Sequence, residues 1–248
     1  MAEPLLSAQA LTRRFGGLLA VNAVSLTLQR GELHAVIGTN GAGKSTLINM
    51  LSGELPATSG RIELAGADIT AWSQPRRARA GIGRSYQRTT LFPTLTVFEN
   101  ARLCAQAERQ RPWAVWQAAA RCSTSNDAAR QALQSAGLAD VPQLLAGLLS
   151  HGQQRQLEIA MCLATKPRVL LLDEPLAGMG AEETERMLAL LIELKRSHAL
   201  LLVEHDMDAV FRVADAITVM VNGEVIASDA PEVIRNHPDV RVAYLGEG

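Results

Sequence analysis

At 248 residues, the chain is long enough to bury a core of ordinary size without disulfides or a structural metal. Its 48% hydrophobic and 20% charged residues are those of a globular protein, and a formal net charge of -1 provides no global field to draw in nucleic acid or anionic lipid. The longest apolar runs, residues 169–172 and 199–203, fall well short of the roughly 20 residues that a membrane-spanning helix needs. Met1-Ala2-Glu3-Pro4 has no basic stretch followed by an apolar one, so no signal peptide is expected. The chain reads as cytosolic, meeting any membrane through a partner. Cys104, Cys122 and Cys162 lack the paired spacing of zinc or redox motifs and are expected to be reduced thiols.

Residues 5–15 and 21–28 alternate loosely on either side of Gly16-Gly17 and predict two strands. Gln29-Arg30-Gly31-Glu32 turns the chain into residues 33–37, a nearly all-apolar run expected of a strand buried on both faces. A glycine-rich stretch, 38–43, precedes a helix predicted from Lys44, with Leu47, Ile48, Met50 and Leu51 on its apolar positions and its end near Gly53. Residues 61–64 and 82–86 predict further short strands. From 97 to 149 alanine, glutamine, arginine and leucine displace β-branched residues, and helical patterns are expected. Within that region Ser123-Thr124-Ser125-Asn126-Asp127 reads as a loop, with Asp127 capping the helix that follows. Residues 169–172 and 199–203 predict buried strands. Between them, 181–195 predicts an amphipathic helix with Thr184, Met187, Leu188, Leu191 and Leu194 on one face. Asn222-Gly223, flanked by 217–221 and 224–227, predicts a two-residue hairpin.

Gly38-Thr39-Asn40-Gly41-Ala42-Gly43-Lys44-Ser45 fits G-x-x-x-x-G-K-[ST] between a buried strand and a helix, which is where a phosphate loop must sit. Its glycines let successive backbone N–H groups wrap a β-phosphate, and the helix start adds partial positive charge. Lys44 supplies a compact cation for the β- and γ-phosphates and Ser45 a hydroxyl for Mg2+, while Gly38, Asn40, Gly41, Gly43 and Thr46 complete the expected nucleotide contacts. The strand at 169–172 leads into Asp173 and Glu174, two carboxylates at the C-terminal edge of the sheet. Asp173 is expected to hold Mg2+ through water. Glu174 is placed to take a proton from the water that attacks the γ-phosphate. ATP and Mg2+ are therefore the expected cofactors.

Leu149-Ser150-His151-Gly152-Gln153 resembles the L-S-G-G-Q signature of ABC ATPases, and as in that family it precedes the Asp173 strand and opens a helix, here expected over 154–164. The resemblance spans essentially the whole chain. It implies an α/β fold: a phosphate-loop NTPase (RecA-like) core with an N-terminal antiparallel β subdomain and an inserted helical subdomain. Residues 1–96 and 165–248 would form the core and 97–164 the helical part of a single ABC ATPase domain. In that family two cassettes pack head to tail, so Ser150, Gly152 and Gln153 would close over the γ-phosphate held by the partner's phosphate loop. The resemblance further implies that Gln87 contacts Mg2+ and the attacking water, that His205 contacts the γ-phosphate, and that Phe15 stacks on adenine.

Softer likenesses point to one branch, the ATPase subunits of branched-chain or other hydrophobic amino-acid importers. They are Phe15-Gly16-Gly17-Leu18, the run from Thr90 to Asn100, and the tail Ala243-Tyr244-Leu245-Gly246. The implied partners are a second cassette, identical or different, separate permease subunits and, indirectly, a substrate-binding protein. The implied place is the cytoplasmic face of a bacterial inner membrane. Three departures stand out: His151 replaces the first signature glycine, Thr39 stands where proline is common, and Ala177-Gly178-Met179-Gly180 lacks the aspartate many members carry. The alternative is a soluble ABC ATPase working on nucleic acid or ribosomes. Its one hint, the cluster Arg76, Arg77, Arg79, Arg84 and Arg88, lacks interleaved aromatics and reads as a solvated face, so no nucleic-acid partner is expected.

Overall fold

The computed structural model describes residues 4–87, 90–109 and 122–245. In chain order the first elements are β1 (Leu6–Phe15), β2 (Leu18–Leu28), β3 (Leu33–Gly38), α1 (Lys44–Ser52), β4 (Ser59–Leu64), β5 (Ala67–Asp68), α2 (Gln74–Arg79) and β6 (Ile82–Arg84). The helical stretch brings α3 (Val97–Arg109), α4 (Ser123–Ser135) and α5 (His151–Ala164). The remainder alternates: β7 (Val169–Asp173), α6 (Ala181–Lys195), β8 (Ala199–Val203), α7 (Met207–Val213), β9 (Ala216–Val221), β10 (Glu224–Asp229), then α8 (Pro231–Arg235) and α9 (Pro238–Leu245).

Among the described residues these strands make two sheets, an antiparallel one in the order β2-β1-β4-β5 and a larger one in the order β10-β9-β3-β8-β7-β6. Within the larger sheet β9, β3, β8, β7 and β6 run parallel, and β10 returns antiparallel through Asn222-Gly223. Both turn residues have positive φ, 49° and 85°, as a tight two-residue hairpin requires. Strands β3, β7 and β8 are buried along their whole length, which accounts for their nearly all-apolar sequences.

Alternate side chains of those strands feed two cores. Leu170, Leu172, Leu200 and Leu202 pack against Met187, Leu188 and Leu191 of α6. Val36, Leu171, Leu201 and Val203 face Leu47, Ile48 and Leu51 of α1 and the apolar side of the antiparallel sheet. Helices α3, α4 and α5 close on a separate cluster that includes Val97, Ala101, Ala129, Leu133, Leu157 and Ala160. The chain thus has a phosphate-loop NTPase core, an antiparallel β subdomain and a helical insertion. Among the described residues no helix is long and apolar enough to cross a membrane.

Several expectations need correction. β2 starts at Leu18, because Leu18 and Leu19 pair with Phe15 and Arg14 right up to the turn. β6 stops at Arg84 rather than reaching residue 86. Residues 123–127 are the first turns of α4 and not a loop; Ser125 is buried, its hydroxyl donates to the Cys122 carbonyl at 3.1 Å, and Asp127 pairs with Arg130 instead of capping. α5 begins at His151, since Ser150 caps it three residues earlier than expected.

The arginine cluster is a solvated face only in part: Arg76 and Arg79 are exposed, whereas Arg77 and Arg84 turn inward. Arg77 is 2% exposed and donates to the carbonyls of Met50, Leu51, Thr70 and Trp72, closing the C-terminal end of α1. The Arg84 side chain is 8% exposed, and Arg76 lies 3.9 Å over the Trp72 ring. Arg88, like Gly246 of the tail, lies outside the described residues. Replacing Arg77 with methionine keeps the volume but orphans buried carbonyls. It is expected to cost about 3 kcal/mol or more, read as a lower midpoint in urea denaturation.

Candidate active site

The loop between β3 and α1 is closed by Ala42 N–H donating to the Thr39 carbonyl at 3.1 Å. It passes tightly beneath β2. Gly43 has φ 96°, and a Cβ there would lie 2.4 Å from the Ala20 carbonyl oxygen, so this position admits only glycine. Lys44 is buried and its ammonium donates to the carbonyls of Gly38, at 2.6 Å, and Thr39, at 3.1 Å. Burial depresses its pKa, and the negative charges of Glu174 and Asp173 oppose that shift. A cleft of about 540 Å3 opens over the loop, and Asn40, Gly41, Lys44, Ser45 and Thr46 line its floor. Phe15 stands on its rim, 45% exposed, with the Arg13 guanidinium 4.6 Å from its ring centre.

Gln87 and Glu174 line the other wall of the same cleft. Glu174 follows the last residue of β7 with φ 48°, a left-handed conformation that is costly for a non-glycine residue. Its N–H donates to the Val203 carbonyl at 2.9 Å, which pins the strained residue to the end of β8. The Gln87 amide donates to one Glu174 carboxylate oxygen at 3.0 Å, and His205 Nδ1 lies 4.0 Å from the other. Asp173 is buried beside them, 3.7 Å from Arg84; its Oδ1 has no hydrogen-bond partner among the described residues. Burial pushes the Asp173 carboxyl pKa up, and the charges of Arg84 and Lys44 oppose it. Loop, acids, glutamine and histidine therefore meet in one place.

Ser150, Gly152 and Gln153 do not join them. Ser150 caps α5 by accepting from Gln153 N–H at 3.3 Å, and the Gln153 side chain accepts from Ser150 N–H at 3.1 Å. These three residues line a second cleft of about 410 Å3, away from the phosphate loop. His151 packs on the loop after the acid: a Cβ at Gly178 would lie 3.3 Å from its ring.

Four residues that matter here were not assigned roles from sequence. Arg155, on α5, donates to the carbonyls of Tyr86 at 2.9 Å and Gln87 at 2.6 Å and pairs with Glu158 at 2.8 Å. Glu158 in turn accepts from Thr90 N–H. Arg84 bonds Asn49, Ser52 and Glu54 as well as facing Asp173. Glu204 is fully buried and accepts from Leu176 and His205 N–H at 2.8 and 3.2 Å, tying β8 to the loop after Glu174. The available signal was a charge on an otherwise apolar face of α5, and an acid directly after an all-apolar strand.

The family model described as ABC transporter matches residues 21–177. The chain belongs to the ABC transporter ATP-binding family. A second model, described as branched-chain amino acid ATP-binding cassette transporter, matches residues 224–248. The chain is 39% identical over 254 residues to the high-affinity branched-chain amino acid transport ATP-binding protein BraF of Pseudomonas aeruginosa, with both chains covered in full. It is 40% identical over 256 residues to LivG of Escherichia coli K12, a protein of the same description, again over both full lengths. The crystal structure of a nucleotide-free ATP-binding cassette from an ABC transporter superposes with a TM-score of 0.88 at 30% identity, covering 99% of this chain and 100% of that one. The ADP conformation of an ATP-binding cassette superposes with a TM-score of 0.86 at 29% identity and the same coverage. Members of this family hydrolyse ATP to drive transport, and this chain is an ATP-binding ABC ATPase.

Two outcomes follow for this ATPase. Arg155→Met leaves Glu158 buried without its counter-charge and is expected to cost about 3–5 kcal/mol in chemical denaturation, with Glu158→Gln in the same chain recovering a large part. Burial raises the folded-state pKa of Glu204 above its unfolded value of 4.5, so its contribution is present at low pH and is lost as pH rises from there through the folded pKa. The stability difference between Glu204→Gln, which cannot titrate, and the native chain should therefore move in favour of the variant as pH rises above 4.5, measured by urea denaturation across the pH range.

Proposed function

We propose that this ATPase is the motor of an importer for branched-chain or other hydrophobic amino acids, working as a head-to-tail pair of cassettes on separate permease subunits at the inner membrane. One observation carries the pairing: Ser150 and Gly152 form an anion cradle in a cleft of their own, apart from the phosphate loop of the same chain. A helix start with a serine cap and a glycine suits a phosphate, and only a second cassette can bring one to it. The substrate reading is supported by relatives 39% and 40% identical over their whole length whose names give branched-chain amino acid transport. A substrate-binding protein would deliver the amino acid to the permease. We assign residues 97–164 as the helical subdomain and the flanking segments as the core.

Lys44 would swing from the loop carbonyls to the β- and γ-phosphates, exchanging one set of oxygens for a more negative one. Phe15, on the rim, would stack on adenine, with Gly38, Asn40, Gly41, Gly43 and Thr46 lining the phosphates. The Oδ1 of Asp173, unpartnered among the described residues, the Ser45 hydroxyl and the amide oxygen of Gln87 suit Mg2+, which takes few protein ligands and keeps phosphate oxygens and waters. When bound, the ion would neutralise charge on the phosphates. Glu174, held by Gln87 on one side and facing His205 on the other, would accept the proton of a water attacking the γ-phosphorus, and ADP would leave.

Coupling would run through α5. A groove of about 230 Å3 between α5 and the β6 segment is lined by Tyr86, Thr90, Cys104, Glu158 and Met161, and would seat a permease helix. The Arg155–Glu158 pair spans from that groove to the Gln87 main chain. Two of the arginines that hinted at nucleic acid, Arg77 and Arg84, serve the interior instead.

Glu174→Gln is expected to bind ATP as the native chain does while losing turnover by about 10²-fold or more. Phosphate release by the purified protein checks the second point and nucleotide affinity the first. Turnover near the native rate would remove Glu174 from the base role.

A further inference from the structure

The cradle at the start of α5 is already filled, by a group from the same chain. Glu183, in the first turn of α6, brings its Oε1 to the Ser150 hydroxyl, which donates to it at 2.8 Å, and to Gly152 N–H, which donates at 3.2 Å. A single carboxylate oxygen thus takes both donors. Gly152 leaves just this space: a Cβ there would lie 2.7 Å from Glu183 Cδ and from Oε1. The Ser150 hydroxyl, with help from the N–H groups of Gly152 and Gly180, draws the Glu183 pKa down, so the group held there is an anion. It sits at the positive end of α5, where an anion is favoured.

We propose that Glu183 is a built-in stand-in for the γ-phosphate, holding the signature cradle until the triphosphate of a facing cassette displaces it. The inference rests on the head-to-tail reading of the pair. A phosphate oxygen and the carboxylate oxygen cannot share the same two donors, so closure requires Glu183 to leave. The γ-phosphate can evict it, having more negative charge and three terminal oxygens. ADP presents no such group to the facing cradle. Glu183 therefore sets how much ATP closure needs and sharpens the choice of ATP over ADP. The open cleft gives the displaced side chain somewhere to go, since Arg186 lines it one turn further along α6. A competitor that fills a site for most of the time weakens the apparent affinity of the incoming group by the fraction of time the site stands free.

The test uses the full chain carrying Glu174→Gln, so that ATP persists, paired with itself or with whichever cassette co-purifies with it. ATP-driven association is followed by analytical ultracentrifugation, with ADP as the control. Adding Glu183→Gln keeps the side chain's length and its reach to Gly180 N–H but removes the charge. The ATP concentration for half association is expected to fall by about 10-fold, with ADP still inactive or newly able to drive weak association. Glu183→Asp, too short to span both donors from α6, should shift it in the same direction. A contribution confined to capping α6 would lower stability in urea without lowering the ATP requirement. An unchanged or higher requirement in both variants overturns the inference while leaving the closed pair intact. If ATP fails to associate the cassettes whatever stands at 183, the head-to-tail reading falls and this inference falls with it.

Discussion

Charge buried at the C-terminal edge of an apolar parallel sheet is the constraint on which the rest of this cassette depends. Strands β3, β7 and β8 are buried throughout and almost wholly apolar, yet the loop after β3 leads into Lys44, β7 ends in Asp173 and Glu204 directly follows β8, none of the three more than 7% exposed. Such groups are tolerated in the interior only when each has a counter-charge or hydrogen bonds. Arg84 faces Asp173, the loop carbonyls hold Lys44, and two backbone N–H groups hold Glu204. The pairing leaves one Asp173 oxygen without a hydrogen-bond partner among the described residues, and the Glu174 carboxylate lines the cleft over the phosphate loop.

The same economy links the helical insertion to the core. Arg155 and Glu158 are buried on α5, and their hydrogen bonds reach the backbone of Tyr86, Gln87 and Thr90. Gln87 then bonds Glu174 through its side chain. Three polar contacts in series thus run from the groove beside α5 to the strained acid. A change in how α5 sits on the core has a direct mechanical path to the residue proposed as the base.

The signature end of α5 is joined to the core differently. His151 packs on Gly178 and Glu183 fills the cradle, so the helix start is held by the segment that follows Glu174. The substitution of the first signature glycine by histidine leaves the cap intact, because Ser150 and Gln153 make both hydrogen bonds of the capping box. Gly152 is the position where space is scarce, and glycine is kept there.

The sequence by itself determined whatever a few neighbouring residues can encode. The phosphate loop and the start of α1, the buried strands β7 and β8, the amphipathic face of α6 and the Asn222-Gly223 turn all rest on periodicity, glycine freedom or local capping. Only the tertiary structure decided the fate of the charged residues. Arg77 looked solvent-exposed beside Arg76 and Arg79, and became internal because the carbonyls at the end of α1 needed donors. Residues 123–127 looked like a loop by composition, and became helix because Ser125 and Ala128 found a core to pack into. Arg155 meets the Gln87 segment across 68 residues of chain, and Glu183 meets Ser150 across 33. No local pattern reports such partners, because hydrogen-bond energy depends on where folding brings the groups and not on their order in the chain.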